Sequence, residues 1–135
     1  MPWLLPASLA LVSWALWAFF GKLASGLYPP TQAFLFVEIG AVLTALVSFL
    51  FFGFPKVESV RGAAFGLIAG AFVIIGEIFF LFAMQKGKAS IVTTFTAFYP
   101  ILTILLAVLI LHETLTLRQG IGILLAMVAV ALFAF

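Results

Sequence analysis

Apolar residues run along this chain in five long stretches, and the polar and turn-forming residues gather in four short groups between them. The stretches lack the apolar–polar alternation of barrel strands. A bilayer core of about 30 Å is crossed by about 20 residues of helix, a length each stretch supplies. The pattern predicts helices over residues 4–24, 31–52, 61–84, 90–111 and 117–135. The first ends near Lys22 and the turn Gly26-Leu27-Tyr28-Pro29-Pro30. Thr31 is the expected N-cap of the second, and Gly53-Phe54-Pro55-Lys56-Val57-Glu58 is the loop behind it. The third stops at Gln85-Lys86-Gly87-Lys88, and Ser90 is the expected N-cap of the fourth. Thr116-Leu117-Arg118-Gln119 reads as a capping box opening the fifth, with Gln119 reaching back to the Thr116 amide.

Composition sharpens this picture. The chain is 67% hydrophobic and 7% charged, where soluble domains run at about 45–50% and about 25%. That excludes a soluble enzyme, a nucleic-acid binder and a disordered chain. The charged residues are scattered and form no basic patch for nucleic acid. With no Cys, no Asp and a single His, no disulfide, thiol nucleophile or intrachain metal cluster is expected. No Gly-rich phosphate loop is present, so ATP drive within the chain is excluded and no cofactor is implied. The first apolar run has no basic residues before it and is longer than a signal h-region, so it is expected to remain as a membrane helix. The expected fold class is an all-α integral membrane protein with five transmembrane helices, in the cytoplasmic (inner) membrane of a prokaryote.

Charge then bears on orientation. Five spans place the termini on opposite sides. The N-terminal side receives Lys56, Arg61 and Arg118, and the other receives Lys22, Lys86 and Lys88. Orientation normally follows an excess of Lys/Arg on the cytoplasmic side, and this tally is balanced. One reading is a weak bias settled by the first helix or by a partner protein. The favoured reading is insertion both ways and pairing with an inverted copy, since an odd number of spans suits an inverted-repeat architecture.

Ionisable groups within a bilayer are expensive and mark functional sites by default. Glu77 and Glu38 each fall about four residues from the centre of their spans, roughly 6 Å from the midplane. Lys22 lies nearer the interface, within reach of snorkelling. All three fall in the same half of the membrane, and one lysine against two glutamates leaves a sum of −1. A structural Lys22–Glu38 pair with Glu77 inert is one reading. The other makes at least one Glu a substrate-binding or proton-coupling group in a polar cavity, with Glu77 first.

Small and polar stripes extend the candidate list. Gly62, Gly66 and Gly70 form a small-xxx-small ladder on the helical face of Glu77, suited to helix packing or a dimer. Thr93, Thr96, Pro100 and Thr103 share a face of the fourth span, and Pro100 cannot donate to the Thr96 carbonyl, so a kink is expected. These residues with Tyr99, Trp14 and Trp17 are candidate cavity lining, the aromatics being able to contact a cation. The threonines can equally bond within their own helix, and the aromatics can serve packing alone. His112 and Glu113 read as an interfacial loop clamp.

Leu111-His112-Glu113-Thr114-Leu115-Thr116-Leu117-Arg118-Gln119-Gly120-Ile121-Gly122 resembles the end of an EamA-like domain, with its Gly-Glu-x-Leu-Thr turn and its glutamine-and-glycine entry to the last helix. Phe82-Ala83-Met84-Gln85-Lys86-Gly87-Lys88-Ala89-Ser90 is similar to that family's turn before the fourth span. Tyr99-Pro100 matches its Glu-Pro or Tyr-Pro, and Trp14-Ala15-Leu16-Trp17-Ala18-Phe19-Phe20-Gly21-Lys22 its Trp-Gly…Lys segment. His112 stands where the family has Gly, and Glu38 near where it often has Arg.

The resemblance implies one EamA-like domain over residues 1–135, a single five-helix repeat of the drug/metabolite transporter superfamily. Most members carry two such repeats, inverted, in one chain. A lone repeat implies an inverted homodimer of ten helices, with Gly120 and Gly122 among the packing or dimer positions. The family implies a central cavity lined by the first, third and fourth spans. The expected function is a secondary transporter moving a small polar or amphipathic metabolite by alternating access, with proton coupling as the preferred drive. Its partners are a second copy, the substrate and membrane lipid. The alternatives are an exporter of lipophilic cations like the small-multidrug-resistance proteins, which usually have four spans and a Glu in the first, or a non-transporting membrane subunit.

Overall fold

Prolines and glycines set the helix ends in a chain whose apolar residues would otherwise continue any helix. The computed structural model describes residues 3–134. Helix α1 spans Leu4–Leu27 and α2 spans Pro30–Phe52. Pro29 occupies the N-cap of α2 and Pro30 its first turn, where a missing amide costs nothing. Thr31 therefore lies inside the helix instead of capping it. Helix α2 closes at Gly53, whose φ of 74° is open to glycine and whose amide donates to the Phe49 carbonyl (2.9 Å). Helix α3, Val60–Lys86, is capped by Ser59, whose Oγ accepts from the Gly62 amide (3.1 Å).

The expected fourth helix is two. Helix α4, Ala89–Thr96, ends four residues before Pro100, and α5, Tyr99–Ile110, begins beside it. The proline ring and its missing amide do more than kink the span: they interrupt it at Ala97 and Phe98, and the ring then sits in the first turn of the new helix. Lys88, not Ser90, holds the N-cap position of α4. Helix α6 spans Leu117–Ala134, and the expected extension to residue 135 lies outside the described residues. It opens with the capping box, Thr116 N donating to Gln119 Oε1 (2.8 Å) and Gln119 N to Thr116 Oγ1 (3.3 Å).

Four helical stretches, Leu4–Leu27, Pro30–Phe52, Val60–Lys86 and Ala89–Ile110, are long and apolar enough to cross a membrane, and the last helix is shorter. No strand is present among the described residues. The chain divides between Lys86 and Gly87 into two compact units.

In the first unit α1, α2 and α3 pack against one another. The packing is concentrated at one end, where Gly21 and Ser25 of α1, Pro30 and Ala33 of α2, and Glu77, Phe80, Leu81 and Met84 of α3 are buried. Residues 60–76 of α3 are exposed throughout, and beyond Arg61 their side chains are as apolar as the lipid they would face. Gly21 allows the approach of α1 to α3, since a Cβ there would meet Leu81 Cδ2 at 3.3 Å. In the second unit α4 packs against α6, and neither α4 nor α5 contains a buried residue.

Candidate functional site

On α3, Glu77, Phe80, Leu81 and Met84 follow at i, i+3, i+4 and i+7, so one helical face turns inward at its C-terminal end. Leu81 and Met84 are fully buried, and Glu77 keeps only 9% of its surface exposed. Trp17, half-buried on α1, stacks on Phe80 with ring centroids 4.8 Å apart and an interplanar angle of 22°. The same indole is the hydrogen-bonding neighbour of the Glu77 side chain and, as a donor only, offers it one N–H. Glu77 Oε1 is buried with no hydrogen-bond partner. Glu38, half-buried on α2, interacts electrostatically with Glu77. The unit thus brings Trp17, Glu38 and Glu77 together from three helices.

Lys22 completes this end of the unit. Its ammonium donates to the carbonyl of Met84, one of the last four carbonyls of α3 that lack an intrahelical partner. A cation at a helix C-terminus also complements the helix dipole. Ser25 Oγ in turn donates to the Lys22 carbonyl (3.1 Å). Among the described residues no group of three His, Cys, Asp or Glu side chains converges to hold a metal.

The other sequence-predicted residues fall elsewhere. Trp14 is 61% exposed. A Cβ built at Gly66 or Gly70 would meet nothing within 4 Å, and Gly62 has only Ser59 nearby. The face shared by the glycines and Glu77 is therefore packed only at the Glu77 end. Gly120 and Gly122 also have open space around them.

In the second unit the threonine hydroxyls turn back on their own helices. Thr93 Oγ1 donates to the Ala89 carbonyl (2.6 Å), Thr96 Oγ1 to Val92 (3.0 Å) and Thr103 Oγ1 to Tyr99 (3.3 Å). Their single protons are thereby used, leaving only acceptor lone pairs for another group. Tyr99 is 56% exposed and Pro100 exposed. His112 adopts φ 56°, and the next amide, Glu113 N, reaches back to the Ala107 carbonyl (3.2 Å). A left-handed residue explains why glycine suits this turn.

Phe80, Leu81, Met84 and Gly21 escaped the sequence reading. In a helix apolar on every side, the inward face has no contrast against the lipid-facing one. Glu77 itself was the available signal, since counting three, four and seven residues onward from it names the buried stripe.

The EamA-like transporter family matches the chain over residues 1–135. The chain belongs to this family. An uncharacterised protein of Methanocaldococcus jannaschii is 31% identical over 126 residues, covering 93% of this chain and 91% of that one. No solved structure matches the chain. Membership of the EamA-like family, with these apolar helices, makes the chain an integral membrane protein of the drug/metabolite transporter superfamily.

Proposed function

We propose that the chain is a secondary transporter that moves a small polar or amphipathic metabolite by alternating access, with Glu77 as the group that binds substrate and exchanges a proton. One observation carries the reading: a carboxyl oxygen buried in an apolar three-helix core without a partner. Such a group is costly to keep unsatisfied, so a purely structural role gives no reason for it. A proton or a substrate group supplies the missing partner in turn, and the alternation between them couples the two movements.

The working assembly is an antiparallel homodimer of ten helices, counting α4 and α5 as one interrupted span and α6 as the fifth. The balanced Lys/Arg tally supports it, as do the open faces at Gly66, Gly70, Gly120 and Gly122. The Methanocaldococcus relative has nearly the same extent as this chain. A cytoplasmic membrane is the expected location.

Proteoliposomes loaded with a pH-sensitive dye test the reading. Amino acids, other polar metabolites and lipophilic cations are added in turn under an imposed pH gradient. At least one compound is expected to drive proton flux that Glu77→Gln abolishes; absence of flux with every compound refutes it. For the assembly, Lys56→Cys and Lys86→Cys are each expected to label from both sides of the membrane. Labelling from one side only rejects the antiparallel homodimer.

A further inference from the structure

We propose that the groove where α2 ends is a binding site for an anionic phospholipid, with an acyl chain against Phe49, Phe52 and Phe54 and the headgroup phosphate on the Lys56 ammonium. The inference is independent of Glu77 and of the transporter reading.

The groove follows from how the chain leaves α2. Gly53 ends the helix with φ 74°, and the reversal brings Phe54 back onto Phe49, ring centroids 4.9 Å apart and planes 18° apart. With Phe52 and Pro55 this stacked pair borders an open cavity of about 480 Å³. Phe52 is 89% exposed and Phe54 81%, so their outer faces have no protein neighbour within the unit. Helices α2 and α3 are each long and apolar enough to cross a membrane. The loop that joins them therefore lies at the membrane–water boundary, where a phospholipid changes from hydrocarbon to headgroup.

The polar groups of the groove decide which amphiphile fits. Ser48, at its helical end, donates its proton to the Thr44 carbonyl (2.9 Å), so that wall offers a ligand no hydroxyl donor. Lys56 stands at the loop end, and no hydrogen bond or ion pair engages its ammonium among the described residues. The groove thus pairs an apolar wall with a single cationic group. A soluble anion leaves the rings uncovered, and an uncharged amphiphile leaves the ammonium unpaired. Between Ser48 and Arg61 the chain carries Lys56 and Arg61 against Glu58, two positive charges and one negative, a sum of +1. Glu58 does not line the groove, so no carboxylate there holds the choline or ethanolamine of a zwitterionic lipid. A basic residue at the membrane surface favours anionic lipid by about fivefold.

Native mass spectrometry of the full-length protein tests the site, with release from detergent micelles carrying equal amounts of phosphatidylglycerol and phosphatidylcholine of the same acyl chains. One phosphatidylglycerol per chain is expected to be retained over phosphatidylcholine by about fivefold. Lys56→Gln is expected to bring the two lipids to parity, and Lys56→Arg to keep the preference. Lys88→Gln removes the same charge outside the groove and is expected to leave the preference unchanged. Phe52→Ser is expected to lower retention of both lipids about threefold, through lost apolar contact. Equal retention of the two lipids by the unaltered chain overturns the proposal, as does an unchanged preference in Lys56→Gln. Equal losses in Lys56→Gln and Lys88→Gln overturn it too, because the preference then follows overall charge. Should Lys56→Gln fail to purify folded, undiminished retention by Phe52→Ser overturns it alone.

Discussion

The two units of this chain differ in how far their polar side chains reach. In Met1–Lys86 the hydroxyls of Ser8, Ser13, Thr44 and Ser48 bond carbonyls of their own helices, but other polar groups reach across: Lys22 of α1 bonds the Met84 carbonyl of α3, and Trp17 of α1 and Glu38 of α2 meet Glu77. One oxygen, Glu77 Oε1, is left over among them. In Gly87–Phe135 the hydroxyls of Thr93, Thr94, Thr96 and Thr103 all turn back on their own helices, and no residue of α4 or α5 is buried. Polarity at membrane depth is thus a poor guide to function by itself. A threonine can satisfy its donor on the i−4 carbonyl, whereas a carboxylate has no donor and depends on its neighbours.

Activity gives the widest separation between the units. Glu77→Gln is expected to remove substrate-driven proton flux entirely, while the triple change of Thr93, Thr96 and Thr103 to Val leaves it within about twofold, because those hydroxyl protons are already used. Loss of flux in the triple variant at unchanged expression breaks the comparison.

Packing within the first unit gives the next largest effect. Gly21→Leu places a side chain where even a Cβ is 3.3 Å from Leu81, and overpacking of this kind costs about 1–3 kcal/mol. Gly66→Leu, with open space around it, leaves thermal unfolding in detergent unchanged. In the proposed dimer it lowers chemical crosslinking between copies. Equal unfolding temperatures for the two variants contradict the packing described for α1 and α3.

Lys22→Met keeps the apolar stem and removes the bond to Met84. Stability in detergent is expected to fall by about 1.5–3 kcal/mol, the worth of a hydrogen bond to a charged group. Thermal unfolding at several salt concentrations measures it. Little salt dependence is expected, because the contact is partly buried.

The smallest effects lie in the second unit and are local. Gln119→Ala opens the capping box at α6 and costs about 1 kcal/mol. His112→Gly relieves a left-handed backbone with φ 56° and gains about 0.5–1 kcal/mol, the strain removed being offset by the freer unfolded chain. Unfolding midpoints for the pair should move in opposite directions.

The sequence by itself determined the helical membrane character, the outer helix ends to within a few residues though not the break at Ala97 and Phe98, and the capping box at Thr116 and Gln119, and it singled out Glu77 as the group to watch. These follow from hydrophobic run length, from proline and glycine chemistry and from the cost of charge in hydrocarbon, all of which act locally. It also carried the resemblance to the EamA-like family. Only the tertiary structure decided which face of α3 turns inward, that Gly21 admits Leu81, that Trp17 covers Glu77 and that Lys22 serves the Met84 carbonyl. In a soluble helix, polar residues mark the outer face and reveal the inner one by contrast. Here both faces are apolar, so the inward one is set by which helices approach each other, and that information lies between distant segments instead of within any one of them.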